Sequence, residues 1–239
     1  MSPPGPGGHI AEQLAAVRAR MELAAARSGR PASSVCLVAI SKTFGPDAVR
    51  EAHAAGQRDF GENRIQEALA KREALADLDL RWHLVGHLQS NKARKAIGPF
   101  CLIHSVDSVE LLGKLDLAAT ERGERVEALV QVDLAREATK FGAPLDEVER
   151  LFDAAAGLRA IALVGLMLLP PYFEDPGRTR PFFRQLRAVR DGLAARGVPA
   201  GMLRELSMGM SHDFEVAIEE GATLVRVGTA IFGVRLPTP

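Results

Sequence analysis

Eight short apolar, β-rich runs recur along the chain, each separated from the next by a longer amphipathic stretch. They occupy residues 35–41, 58–61, 81–86, 100–106, 126–133, 158–168, 203–208 and 223–229. Most are apolar on both faces, the pattern of parallel strands covered by helices on one side and by a core on the other. Helical stretches follow them, starting near Asp47, Glu62, Ser90, Ser108, Pro144, Thr179 and Ser211. This alternation predicts an α/β fold, a single (β/α)8 TIM-type barrel. An extra N-terminal helix precedes it, with Ile10, Leu14, Val17, Met21 and Ala24 at helical spacing and Gly29 and Pro31 as its stop. The run at 58–61 is the least marked of the eight. A doubly wound open sheet is the alternative, and both folds place their chemistry at the C-terminal ends of the strands.

No Ser/Gly-rich linker interrupts the pattern. Residues 1–8 read as a flexible tail of Pro and Gly, and 9–239 as one domain. Lys plus Arg and Asp plus Glu balance at 30 each, so no global field draws in nucleic acid or an anionic membrane. The longest apolar run, Ala160 to Leu169, falls far short of the roughly 20 residues that span a bilayer. The N-terminus lacks the basic and apolar regions of a signal peptide, which makes the cytoplasm the expected location. Cys36 and Cys101 sit in apolar stretches and read as reduced, buried thiols.

Lysine is scarce, with six residues against 24 arginines. Lys42 follows the run VCLVAIS and would stand at a strand end. There it either snorkels into solvent or, desolvated at the barrel mouth, loses its proton and attacks a carbonyl, which arginine cannot do. Lys71, Lys92, Lys95 and Lys114 lie in charged amphipathic stretches and read as solvated. Ser207-Met208-Gly209-Met210-Ser211 ends a strand and opens a predicted helix from His212 to Glu220, with Ser211 as its N-cap. Free N–H groups at such a start either accept a phosphate-sized anion or merely begin a capped helix. Asp213 in the first turn would oppose an anion unless it points away. Gly228-Thr229 ends the next run, and the loops after strands seven and eight are the usual phosphate cradle of barrels. The two asparagines, Asn63 and Asn91, both follow strand ends, as binding residues or as turn chemistry.

Other features point away from chemistry. His83 and His87 are four apart in a strand and its loop, which is not the helical face of a zinc pair. Arg180, Arg184, Arg187 and Arg190 flank the stripe Phe183, Leu186, Val189, Leu193, a core-facing helix with a solvated basic side. No phosphate-binding glycine loop follows a strand, which disfavours an ATPase or a dinucleotide enzyme.

Eight segments in order nevertheless resemble the pyridoxal phosphate homeostasis proteins, whose fold is like the N-terminal barrel of alanine racemase. They are 38–43 (VAISKT), 60–67 (FGENRIQE), 82–92 (WHLVGHLQSNK), 104–107 (HSVD), 137–142 (EATKFG), 165–167 (GLM), 206–211 (LSMGMS) and 225–233 (VRVGTAIFG). The resemblance implies that the chain binds pyridoxal 5'-phosphate (PLP), held by Lys42 as an internal aldimine. It maps the phosphate cradle onto Ser207, Met210, Ser211, Gly228 and Thr229, sets Arg226 against the pyridine nitrogen and brings Asn63 near the ring. The stretch Leu168 to Phe173 departs from the family's shorter turn, putting that loop in doubt and leaving the cofactor contacts untouched. The implied function is a non-catalytic PLP carrier or buffer, a monomer that maintains PLP homeostasis and partners apo PLP-dependent enzymes. The alternatives are a PLP-dependent amino-acid racemase and a Schiff-base aldolase. Racemisation needs an acid and a base on opposite faces of the substrate. The racemases draw one with help from a second, β-rich domain, which is not expected here, and Tyr172, the single tyrosine, lies in the loop after strand six.

Overall fold

The computed structural model describes residues 8–135 and 141–233. The expected tail lies outside them except for Gly8, as do residues 137–140 of the fifth matching segment, Lys140 among them. Eight parallel strands close into a barrel in sequence order: β1 (Cys36–Ile40), β2 (Asp59–Glu62), β3 (Arg81–Leu84), β4 (Leu102–Val106), β5 (Val126–Val132), β6 (Ile161–Leu168), β7 (Glu205–Met210) and β8 (Leu224–Val227). β8 returns to β1 with Ala39 opposite Val227, which rules out the open sheet.

The runs are apolar on both faces because each strand serves two cores. Val38, Ile40, Val85, Leu102, Leu129, Val164, Met167 and Leu224 fill the barrel interior. The alternate positions pack outward on the helices in a larger shell. The predicted stripe of α1 (Gly8–Arg27) is buried in that shell, where the helix packs beside α2 (Pro46–Ala54). Around the ring follow α3 (Ile65–Ala74), α4 (Ala93–Ala96), α5 (Val109–Arg122), α6 (Leu145–Ala155), α7 (Arg180–Ala195), α8 (Phe214–Glu219) and α9 (Thr229–Phe232).

Two helix starts differ from expectation. Glu62 is the last residue of β2, and α3 begins three residues later. α8 begins at Phe214 with Asp213 in the N-cap position, so Ser211 does not cap it. On the solvated basic side of α7, Arg180, Arg184 and Arg187 converge on the carboxylate of Glu220.

Gly165 of β6 shows how tightly the barrel closes: a Cβ there would lie 1.9 Å from the Glu205 carbonyl oxygen. Backbone cannot yield as a side-chain tip does. Gly165→Ala should therefore cost about 3 kcal/mol in urea unfolding, the upper range for overpacking. Gly113→Ala, on α5 with nothing within 4 Å of the added carbon, should instead stabilise by about 0.5–1 kcal/mol.

Candidate functional site

The C-terminal end of β1 leads into a tight turn in which the Phe44 N–H donates to the Ser41 carbonyl at 3.1 Å. Lys42 and Thr43 are its central residues. Thr43 has φ +68, the one positive φ among the described non-glycine residues. A β-branched residue rarely adopts that conformation and pays strain for it. The turn persists because it is braced from below. The Ser41 carbonyl also accepts from Lys71 Nζ at 2.6 Å, and Glu62 accepts both from Lys71 Nζ at 2.5 Å and from the Ser41 hydroxyl at 2.6 Å. Lys71 is therefore buried rather than solvated, a correction to the sequence reading. Its place was legible, since Ile65, Ala68, Lys71 and Leu75 fall on one helical stripe. Burial holds the Glu62 carboxyl above the ordinary range, opposed by the hydrogen bonds from Lys71 and Ser41. Lys42 itself is exposed at the mouth, not shielded by the barrel as expected.

β7 and β8 supply the adjoining wall. The Ser211 hydroxyl accepts from the N–H groups of Gly228 at 3.1 Å and Ala230 at 3.3 Å, so it caps α9 rather than α8. Asp213 is buried and turns back to accept the Met210 N–H at 2.7 Å, which removes that donor from the cradle. Burial raises the pKa of its carboxyl. Gly228 lies against β1, where a Cβ would stand 3.2 Å from the Ile40 carbonyl oxygen. Phe44 and Phe232 pack at 5.2 Å and tie the Lys42 turn to α9. Thr229 and Met210 are exposed at this rim.

Beneath the rim, Arg226 is buried in the barrel interior and donates to the Ser207 hydroxyl at 2.5 Å and to the Leu168 carbonyl at 2.8 Å. Neither partner is charged, and burial lowers the guanidinium to about 10. Ser207 continues inward to His104 at 2.9 Å, His104 to His83 at 3.0 Å, and His83 to Asp59 at 3.0 Å. This row was missed in the sequence. The signal was inward parity: His83 shares a face with Val85, and His104 with Leu102, as strand period two requires.

Not every predicted residue joins the cluster. The pairing of Ile40 with Gly61 sets Asn63 level with Lys42, but Asn63 is exposed and lines a cleft of about 370 Å³ with Gln66, His87, Gln89 and Lys92. The loop after β6 is not separate from the site. The β6 carbonyl that precedes it, Leu168, holds Arg226, and in the loop the carbonyls of Phe173 and Glu174 accept from His212. A larger cleft of about 510 Å³ lies at the strand starts, lined by Cys36, Asp59, Arg81 and Cys101 among others, on the far side from Lys42. Both thiols are free, and Cys101 is exposed rather than buried. No His/Cys/Asp/Glu group able to hold a metal ion occurs among the described residues.

Residues 13–236 match the family model of the alanine racemase N-terminal domain. The pyridoxal phosphate homeostasis protein of Aquifex aeolicus is 44% identical, over 94% of this chain and 97% of that protein. Its Escherichia coli K12 counterpart is 38% identical, over 95% and 97%. The chain belongs to the pyridoxal phosphate homeostasis protein family. Among solved structures, the family's PipY of Synechococcus elongatus, described with PLP bound, superposes with a TM-score of 0.83 at 44% identity. It covers 94% of this chain and 100% of its own. Alanine racemase of Clostridium difficile shares the fold at a TM-score of 0.70 and 16% identity, and this chain spans 57% of its length.

The brace under the Lys42 turn gives a stability test for this homeostasis-family barrel. Lys71→Met leaves the Glu62 charge buried with Ser41 alone and should cost about 3–5 kcal/mol in urea unfolding at neutral pH. The double variant Glu62→Gln/Lys71→Met should recover most of that loss, since no unpaired charge remains.

Proposed function

We propose that the protein binds pyridoxal 5'-phosphate at the C-terminal mouth of the barrel and serves as a non-catalytic carrier or buffer of it. The observation that carries this reading is the close approach of Gly228 to Ile40, which sets the Lys42 strand end beside the start of α9, where the Ser211 hydroxyl meets the Gly228 and Ala230 N–H groups. An amine and an anion site on neighbouring strands fit an aldehyde that bears a phosphate. In this reading Lys42 bonds the aldehyde carbon with loss of water, and its exposure at the mouth leaves that bond open to exchange. Ser211, Gly228 and Thr229 hold the phosphate with Ser207 and Met210 at its edge. Arg226 meets the ring nitrogen, and Asn63 stands beyond the ring. When bound, PLP supplies an aldehyde that condenses with amines; the chain's own groups orient and retain it.

The names of the relatives and the PLP-bound PipY support the same reading, and a carrier would hand PLP to apo PLP-dependent enzymes. No helix among the described residues is long and apolar enough to cross a membrane. A monomer in the cytoplasm is part of the proposal. A racemase is disfavoured by Tyr172, which is 77% exposed in the loop after β6 and lacks the rigid support a catalytic acid needs.

Borohydride treatment of the PLP-loaded protein followed by mass spectrometry should place a pyridoxyl group on Lys42, and Lys42→Arg should lose both the adduct and the visible absorbance. An adduct on another lysine overturns the assignment. Ser211→Ala should weaken PLP binding by about 1.5–3 kcal/mol, the scale of a hydrogen bond to a charged group. Equal affinity of the wild type for pyridoxal and PLP would show that the anion site is elsewhere.

A further inference from the structure

We propose that His83 and His104 are positioning residues that decide which way the Ser207 hydroxyl donates, through a hydrogen-bond chain whose direction reverses when one proton is added at His83. The reversal belongs to the protein alone. Its effect on PLP rests on the reading above.

The argument is a count of protons along the interior row. Asp59 is bound by Arg81 Nε at 2.8 Å and Nη2 at 2.5 Å, and it lies 3.0 Å from His83 Nε2. Burial would raise its carboxyl, but the bonds from His83 and Arg81 win and hold it at about 2. It is therefore an acceptor only, and His83 Nε2 always carries the proton. If His83 is neutral, its Nδ1 has no proton and must accept from His104 Nε2. His104 then has a bare Nδ1, which accepts the Ser207 O–H at 2.9 Å. Arg226 donates to the Ser207 oxygen, and every member of the row is satisfied.

Adding one proton to His83 changes each link. Nδ1–H now donates to His104 Nε2 at 3.0 Å, and His104 carries its single proton on Nδ1 and donates to Ser207. Ser207 then receives two donors, from His104 and from Arg226, and its own O–H is released for another acceptor. Because Ser207 lies on β7 three residues before the rim at Met210, that acceptor is one a ligand brings into the mouth.

The groups around the row favour the protonated form. Facing His83 are Asp59 from β2, Arg81 from β3, Cys101 before β4 and His104 from β4. Cys36, Glu127, Arg204 and Glu205 line the same cleft at the strand starts. Burial alone would lower His83, but the hydrogen bond to Asp59 and the charge of that carboxylate help raise it to about 9. His104 is fully enclosed and faces His83 and Arg226. Burial and the two neighbouring cations push it well down, so it stays neutral and can only change tautomer. Among the described residues, Asp213 is the carboxylate whose charge acts on Arg226.

The test is nitrogen-15 NMR of the imidazoles in the PLP-free wild-type protein, from about pH 6 to about pH 10.5. His83 should titrate near 9, and His104 should pass from the Nδ1–H to the Nε2–H tautomer with the same midpoint. A His104 that keeps one tautomer throughout overturns the proposal. PLP affinity measured over the same range should fall about tenfold above the midpoint, the scale of one hydrogen bond, and Ser207→Ala should flatten that fall. If the tautomer switches but wild type and Ser207→Ala respond identically to pH, Ser207 is not the donor and the proposal fails at the ligand. Failure of the wild type to bind PLP at any pH would instead sink the functional reading and leave the NMR result intact.

Discussion

Desolvation inside a closed barrel is the constraint on which the rest of the structure depends. Once β8 pairs with β1, the interior is cut off from water except at the two ends of the barrel, and each polar side chain buried there must find a partner or cost several kcal/mol. Asp59, His83, His104, Ser207 and Arg226 meet that demand as one row, threaded among Val85, Leu102, Leu129 and Val164. At the upper end, Arg226 rests on two neutral oxygens. That leaves a positive charge beneath the mouth, compensated only at a distance by Asp213.

The same logic governs the turn that carries Lys42. A threonine at φ +68 is unfavourable by itself, and Phe44, Lys71 and Glu62 over-determine the turn through the Ser41 carbonyl and hydroxyl. Strain held by a buried ion pair keeps the Lys42 backbone in place while its amine remains exposed. A rigid base with a free tip suits a residue that must bind and release, whereas a catalytic lysine gains more from enclosure. The Glu62–Lys71 pair is thus more than a surface accident: both members are below a tenth exposed.

The adjoining wall uses backbone rather than charge. Ser211 bridges the strand-seven loop to the start of α9, and Asp213 consumes a donor that the sequence reading had assigned to the anion. The proposed cradle is therefore narrower than the five residues the resemblance implied, centred on Gly228 and Ser211. The loop after β6 is tied to the same wall by the hydrogen bonds from His212 to its Phe173 and Glu174 carbonyls, although its sequence departs from the family's shorter turn.

Strand number, order and the N-terminal helix were legible in the chain, because burial on two faces imposes a periodicity that residues 35–41 or 126–133 display by themselves. So were the strand ends at Lys42, Ser207 and Gly228, since a barrel confines chemistry to those ends. β2 was faint for a physical reason: two of its four residues are carboxylates, stabilised by Arg81 and His83 on one side and by Lys71 and Ser41 on the other. Those partners lie up to 24 residues away, and periodicity carries no information about them. Only the tertiary structure decided that Lys71 is buried, that Ser211 caps α9, that Asp213 turns away from the mouth and that two histidines join Asp59 to Arg226. Each depends on which side chains barrel closure brings within 3 Å of one another, a distance set by register and bulges rather than by composition or spacing.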